Sequence, residues 1–454
     1  MSQSTRIPGP KHLFGFKFIQ DFRKDTLNFL LKLHKDHGDV VYARLGPYKA
    51  FFFFSPETIK EILVQKVKHL PKFTNQVRVL RQWDGNGLVL SEGEFWARQH
   101  RLVQPAFQTK RFEGYVTSMV EKIENLAQRW SGFDSDATFN IEDEMNSLTL
   151  AIIAKTLFGA DLTSQTSELG KAVAILSETA VREMGEVIRL PNWLPLAKIK
   201  KKVWATKYVD STIRKIISER RKTGEDAGDL LSMLLQAVDS EDSKSQMTDE
   251  QARDEAMVLF LAGHDTTASA LTWLWYVISR YPEVQKQCYE EIQSVLQGKN
   301  PTFYTVSKLS YLTSVIKETL RLYPPAIGIF AREAKEDMEI GGYPVPKNSI
   351  VYAFSYVTQR DARYFPDPER FDPSRFSVEN EKQISPFVYF PFGVGPRACI
   401  GAQFAMTEIA VVATILLQKF EFSLAPKQGE PQFLSLLSLR PKGGIQLNAR
   451  KRTS

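Results

Sequence analysis

The stretch FPFGVGPRACIG, Phe390 to Gly401, decides how this chain is read. It holds Cys399, one of only two cysteines, just ahead of the apolar run GAQFAMTEIAVVATILLQKF. Gly393 and Gly395 admit positive φ and close backbone approach, and Pro396 fixes one turn angle. The run after Cys399 is predicted to be helical. Its free amides and positive dipole end stabilise a sulfur anion at its start. Arg397, two residues earlier, lies on the same side of an extended segment and suits an anionic group of a cofactor. Gly401, Ala402 and Ala405 keep the first helical turn thin, as the packing of a flat molecule requires. A cysteine in a plainer setting is a small buried hydrophobe.

The spacing Phe392-x-x-Gly395-x-Arg397-x-Cys399-x-Gly401 resembles the haem-binding signature of the cytochrome P450 family. In that family the cysteine thiolate is the axial ligand of the iron. The resemblance implies haem b (iron protoporphyrin IX) held through Cys399. It also implies a mainly α protein with a small β-rich lobe, the cytochrome P450 fold.

Composition bounds the remaining options. A hydrophobic fraction of 43% and a charged fraction of 24% describe a globular chain with a large core. Two cysteines, Cys288 and Cys399, exclude a disulfide framework and suit a reducing, cytoplasmic setting. No apolar run is long enough to span a bilayer, and MSQSTRIPGP lacks a signal-peptide core. Within the resemblance this points to a soluble, bacterial-type member. The formal charge of +7 is spread along the chain, and no nucleic-acid motif accompanies it. The densest cluster, Lys198 with Lys200 to Lys202 beside PNWLPLA, reads either as a solvated helix start or as a membrane-surface contact without an anchor.

Hydrophobic periodicity and caps predict a helical body in a single domain over 1–454. Asp21 to His37 reads as one helix ending at Gly38, and GDVVYARLGPYKAFFFFS as two strands around a Gly-Pro turn. Ser55 caps the helix that follows. Residues 71–95 read as loop, with helices then over about 95–103, 114–130, 142–157, 164–186, 203–222 and 226–238. Residues 240–247 read as a surface loop. The β-rich lobe is expected from 38–55, 340–355 and 433–448.

Thr248-x-x-Gln251 is a capping box, and Pro282 opens the next helix. The intervening helix has a weak centre, Ala262-Gly263-His264-Asp265-Thr266-Thr267, where a plain helix prefers Ala or Leu. Threonine hydroxyls there bond the carbonyl four residues back. A local conflict inside a strong element marks function. The stretch resembles the family's oxygen-binding segment. On that resemblance Ala262 and Gly263 let haem approach the backbone, Thr266 donates to dioxygen, and Asp265 supplies protons for O–O cleavage.

Further residues carry over from the family. Glu318-x-x-Arg321 is an i,i+3 helical pair, and with Arg370 of Pro368-Glu369-Arg370-Phe371 it matches a buried Glu-Arg-Arg cluster behind the haem loop. Trp96 and His100, with Arg332 and Arg397, match the groups that hold the haem propionates. The family usually has arginine at the position of His100, and a neutral imidazole donates one hydrogen bond with less charge. Pocket candidates include Arg81, Phe260, Ala326, Ile327, Phe330 and Leu436. They are mostly apolar, so a small hydrophobic substrate is expected, a fatty acid or a terpenoid. Arg78 or Arg81 could meet a fatty-acid carboxylate, Arg81 could equally reach a propionate, and both read as well as exposed surface, so no residue decides between the two substrates.

These expectations describe a haem-thiolate monooxygenase that hydroxylates or epoxidises its substrate. Electrons are expected from a separate ferredoxin or flavodoxin with an NAD(P)H reductase. The alternatives are an isomerase or dehydratase of oxygenated lipids on the same fold, or a non-catalytic haem sensor. Asp265 and Thr266 argue against the isomerase, whose chemistry needs no dioxygen.

Overall fold

The computed structural model describes residues 7–10, 16–133, 137–162, 165–186, 190–224, 226–236 and 247–452. The expected loop at 240–247 lies almost wholly outside them. The chain forms two compact units, one of residues 1–78 and 320–399, the other of residues 79–319 and 400–454.

The first unit is built on a four-stranded sheet in which Tyr48–Phe53 pairs antiparallel with Val40–Leu45 and parallel with Ile350–Ala353, with Arg332–Glu333 at the edge. Its unbroken Phe51 to Phe54 run has a simple cause, because this strand is covered on both faces. Phe52 and Phe54 enter a cluster with Leu30, Leu33, Val41 and Phe354. Phe51 and Phe53 point the other way and pack with Ile59, Ile62, Leu63, Ile340 and Phe390. Phe390 thus anchors the start of the cysteine loop beneath the sheet. The single N-terminal helix expected over 21–37 is instead two, Phe16–Lys24 and Thr26–His37. Asp25 breaks the run because its carboxylate caps the second helix by accepting the Asn28 N–H. His34 Nε2 lies 2.9 Å from Asp39, whose carboxylate Arg363 also bonds.

The second unit is helical. Its spine is Asp249–Arg280, with Thr248 and Gln251 forming the expected capping box and Pro282 opening the next helix. Helix Ile141–Phe158 packs along it, and Phe112–Trp130, Thr166–Met184, Ala197–Thr223 and Ala402–Lys419 complete the body. The strands near the C-terminus do not join the first unit's sheet. Gln446–Lys451 pairs with Thr138–Asn140 and Phe420–Leu424, and Phe433–Ser435 pairs with Leu439–Pro441. The polar stretch expected to be loop at 71–95 contains the helix Thr74–Asp84, whose Val79, Leu80 and Trp83 are buried. Lys202 is buried too, its ammonium 2.8 Å from Glu183, while Lys198, Lys200 and Lys201 stay exposed.

After that helix the chain is tied to the spine through carboxylates. The Asn86 and Leu88 N–H groups donate to Asp254 and Glu255 at 2.7 and 2.9 Å. Burial pushes the Glu255 carboxyl up to about 8 and that of Asp84 to about 7. The folded protein therefore holds these protons more tightly than the unfolded chain, so stability falls as pH rises from the ordinary carboxylate range through those values. Glu255→Gln is expected to flatten this fall, by roughly 3 kcal/mol between pH 5 and pH 8. Denaturant titrations at the two pH values read it, and parallel pH profiles for variant and parent would contradict it.

Candidate active site

The cysteine loop is rigid because its turns are closed by main-chain bonds. Gly393 N–H donates to Phe390 O at 2.9 Å, Ala398 N–H to Gly395 O at 3.0 Å, and Cys399 N–H to Phe392 O at 2.8 Å. Gly395 has φ +83°, and a Cβ there would meet Leu63 O at 2.4 Å, so glycine is required on both counts. The result holds Cys399 exposed, with Arg397 half-buried beside it. Cys288, by contrast, is buried in helix Pro282–Leu296, and burial raises its thiol well above the usual range. It is inert as a metal ligand. Helix Ala402–Lys419 begins three residues after Cys399 and has no side-chain cap at Gly401, and Ala405 N–H donates to Gly401 O at 2.9 Å.

Behind the loop lies Arg321, fully buried at the end of helix Ser310–Leu322. Its guanidinium donates to the carbonyls of Gln359, Pro368 and Arg370 at 2.8, 2.7 and 3.2 Å, and it stacks on Phe365. Gln359 completes the link, with its amide donating to Arg321 O at 3.0 Å and its Oε1 accepting Phe390 N–H at 3.3 Å. Glu318, three residues before Arg321, is also fully buried. Arg370 departs from the expected cluster, since its side chain is exposed and only its carbonyl meets Arg321. Arg375 is the half-buried arginine of this segment, donating to Pro366 O and Asp367 O at 2.6 and 3.0 Å. The two arginines stand in similar patterns, PERF and PSRF.

Arg332 is buried on its edge strand, bridged to Lys72. In the other unit, Trp96 and His100 share helix Gly93–Val103, half-buried, with ring centroids 5.1 Å apart. The spine helix runs unbroken through its weak centre. Thr266 Oγ1 donates to Ala262 O at 2.7 Å, the bond anticipated for it. From Glu255 to Ser279 every residue is buried except Leu261, Ala262, Gly263 and Thr266. Apart from Leu261, that window is a helical turn of small residues with a hydroxyl, and Ala262 is its exposed member. Gly263 serves packing as well, because a Cβ there would strike Ile153 Cδ1 at 2.2 Å.

Asp265 points inward from that turn and is 8% exposed in its side chain, paired with Arg440, whose guanidinium also lies 3.4 Å from Glu142. His264 is buried, and burial lowers it to about 4, so the ring is neutral near pH 7. Of the pocket candidates, Phe260 is fully buried against Phe158 and is core rather than wall. Arg81 is exposed and donates to Asn86. Ala326, Ile327 and Phe330 form a half-buried apolar stretch, and Leu436 is half-buried in the C-terminal turn. Gln359, Glu142 and Arg440 escaped the sequence reading because their partners are distant in the chain.

The donor set fits haem. One sulfur stands out of the core on a rigid loop, a helix turn of small residues is uncovered, and Arg397, Arg332, Trp96 and His100 are of the kinds that hold carboxylates. Comparison with known proteins agrees. The family model described as Cytochrome P450 matches residues 7–449. Cyclooctatin synthase of Streptomyces melanosporofaciens is 34% identical over 427 residues, covering 93% of this chain and 90% of that protein. Cyclooctat-9-en-7-ol 5-monooxygenase of the same organism is 31% identical, covering 92% and 89%. Cytochrome P450 4V2 of Homo sapiens is 31% identical, covering 92% and 83%.

Arg321→Ala leaves three carbonyls without their donor, that of Gln359 buried, and removes a buried charge, so it is expected to cost at least about 3 kcal/mol. The denaturant midpoint and the ratio of haem absorbance to protein should both fall. Unchanged stability with full haem content would contradict the part assigned to Arg321.

Proposed function

The chain belongs to the cytochrome P450 family, and from that premise we propose how its residues divide the work. The protein is a haem-thiolate monooxygenase acting on a hydrophobic substrate with electrons from a redox partner. Haem, when bound, supplies dioxygen activation and insertion of one oxygen atom into the substrate, with the thiolate donating electron density to the iron.

Cys399 would ligate the haem iron in our reading, and Phe392, Gly401 and Ala405 shape the loop and helix start beside it. Arg332, Arg397, Trp96 and His100 hold the cofactor's carboxylates by charge and hydrogen bonds. Glu318 and Arg321 serve as structural supports, in a single haem domain that the family match over 7–449 favours. Ala262 and Gly263 keep the helix face flat, Thr266 positions a proton at its Oγ1, and Asp265 replenishes it. The observation that carries this reading is the window of Ala262, Gly263 and Thr266 in an otherwise buried helix.

For the substrate we favour a cyclic terpenoid over a fatty acid. Two of the relatives are named for cyclooctatin chemistry, one of them an enzyme whose substrate by name is an alkenol. The arginines considered for a fatty-acid carboxylate, Arg78 and Arg81, are both exposed. The lining proposed for it is Ala326, Ile327, Phe330 and Leu436. Electrons come, in this proposal, from a cytoplasmic ferredoxin or flavodoxin with its reductase. Among the described residues no helix is long and apolar enough to cross a membrane. The exposed Leu190, Trp193 and Leu196 beside Lys198, Lys200 and Lys201 have the chemistry of a surface contact with one.

Turnover of a terpenoid panel with NAD(P)H, a surrogate ferredoxin system and isotopically labelled dioxygen tests the reading. One labelled oxygen per product is expected, whereas conversion without dioxygen uptake would favour an isomerase. Thr266→Ala should keep its haem yet form several-fold less product per NAD(P)H consumed; unchanged coupling would remove Thr266 from the role.

A further inference from the structure

The C-terminal hairpin has two ends with different chemistry. Its turn presents Leu434 and Leu437, exposed, and Leu436, half-buried. Its return strand Leu439–Pro441 is fastened to the spine helix. Leu439 O accepts from Ser269 Oγ at 2.5 Å and from Trp273 Nε1 at 2.8 Å. The next residue, Arg440, donates to Asp265 through Nη2, lies 3.4 Å from Glu142 through Nη1 and 3.3 Å from Ser438 Oγ through Nε. Arg440, Asp265 and Glu142 are 14%, 8% and 16% exposed in their side chains.

Asp265 is nearly buried, so its carboxylate needs a cation or a proton. The charged and titratable neighbours are Glu142 and Asp143 on helix Ile141–Phe158, His264 on the spine, and Arg440. His264 is neutral near pH 7, and its Nε2 is 3.0 Å from Asn146 O. The positive charge facing Asp265 is therefore that of Arg440, shared with Glu142. Its fork geometry also fixes the direction of the carboxylate, which a point charge does less well.

We propose that Arg440 is a positioning residue for Asp265, tying the carboxylate beside Thr266 to the hairpin whose apolar turn contacts substrate. The inference rests on the part given to Asp265 under the proposed function. It extends that part by making proton supply depend on a residue more than 170 positions away in sequence, as the separation of 175 shows. Removing the guanidinium leaves two neighbouring carboxylates without their cation, which raises the proton affinity of the pair.

The test uses haem-loaded R440M, R440K, D265N, R440M/D265N and E142Q proteins. In R440M the acidic limb of the pH profile of product per NAD(P)H should move up by about one unit, a roughly ten-fold change in proton affinity. R440K should restore most of it, and in the D265N background R440M should add no further loss of coupling. A thermal-unfolding cycle over the same variants, which needs no turnover, should show R440M and D265N to be non-additive. If R440M fails to take up haem, E142Q carries the test with opposite sign, moving the limb down. An unmoved limb in R440M, or in E142Q where R440M is not loaded, overturns the role of Arg440, as do multiplicative effects of R440M and D265N. Unchanged coupling in D265N instead overturns the assignment of Asp265, and this proposal with it.

Discussion

A guanidinium with no exposure to solvent must find its hydrogen bonds in the protein, and Arg321 finds them in three carbonyls of one neighbouring segment. That demand organises the cysteine loop. Arg321 holds Gln359, Gln359 holds the first amide of the loop, and Phe390 sinks into the cluster under the sheet. Glycines at positive φ close the turns, and the chain has nowhere to go but to present Cys399 outward. Cys399 is thus the exposed thiol of the chain, whereas Cys288 is buried in a helix and left inert.

The spine helix meets a complementary constraint. It is buried on every side from Glu255 to Ser279 except at one turn, and that turn coincides with its poorest helix formers. Thr266 satisfies its hydroxyl on the carbonyl of Ala262 and so remains compatible with an unbroken helix. The inward residues of the same turn are polar, and their cost is met by pairing: Asp265 with Arg440, and His264 by losing its charge. Polar chemistry is thus stored within a hydrophobic spine without breaking it.

Features with a local cause were legible in the sequence. The capping box at Thr248, the Ser55 cap, the Val40 to Phe53 hairpin and the glycine turns before Cys399 each depend on residues within a few positions. The family resemblance likewise rested on contiguous motifs. What failed was whatever depended on distant partners or on composition alone. Helix Thr74–Asp84 looks polar because only Val79, Leu80 and Trp83 bury their apolar faces. Lys202 reads as part of a basic surface run until Glu183 from another helix reaches it. Arg370 and Arg375 sit in near-identical local contexts, and only packing separates the exposed one from the half-buried one. Nothing near Arg440 in the chain announces that it faces Asp265.

The central claim is that Cys399 ligates haem iron as a thiolate. The most direct measurement is the absorption spectrum of the reduced protein with carbon monoxide, taken for the parent and for Cys399→Ser. A strongly red-shifted Soret band that is lost in the variant is the expected result. A Soret band at the position of a histidine-ligated haem, or a red-shifted band that survives Cys399→Ser, would contradict the account.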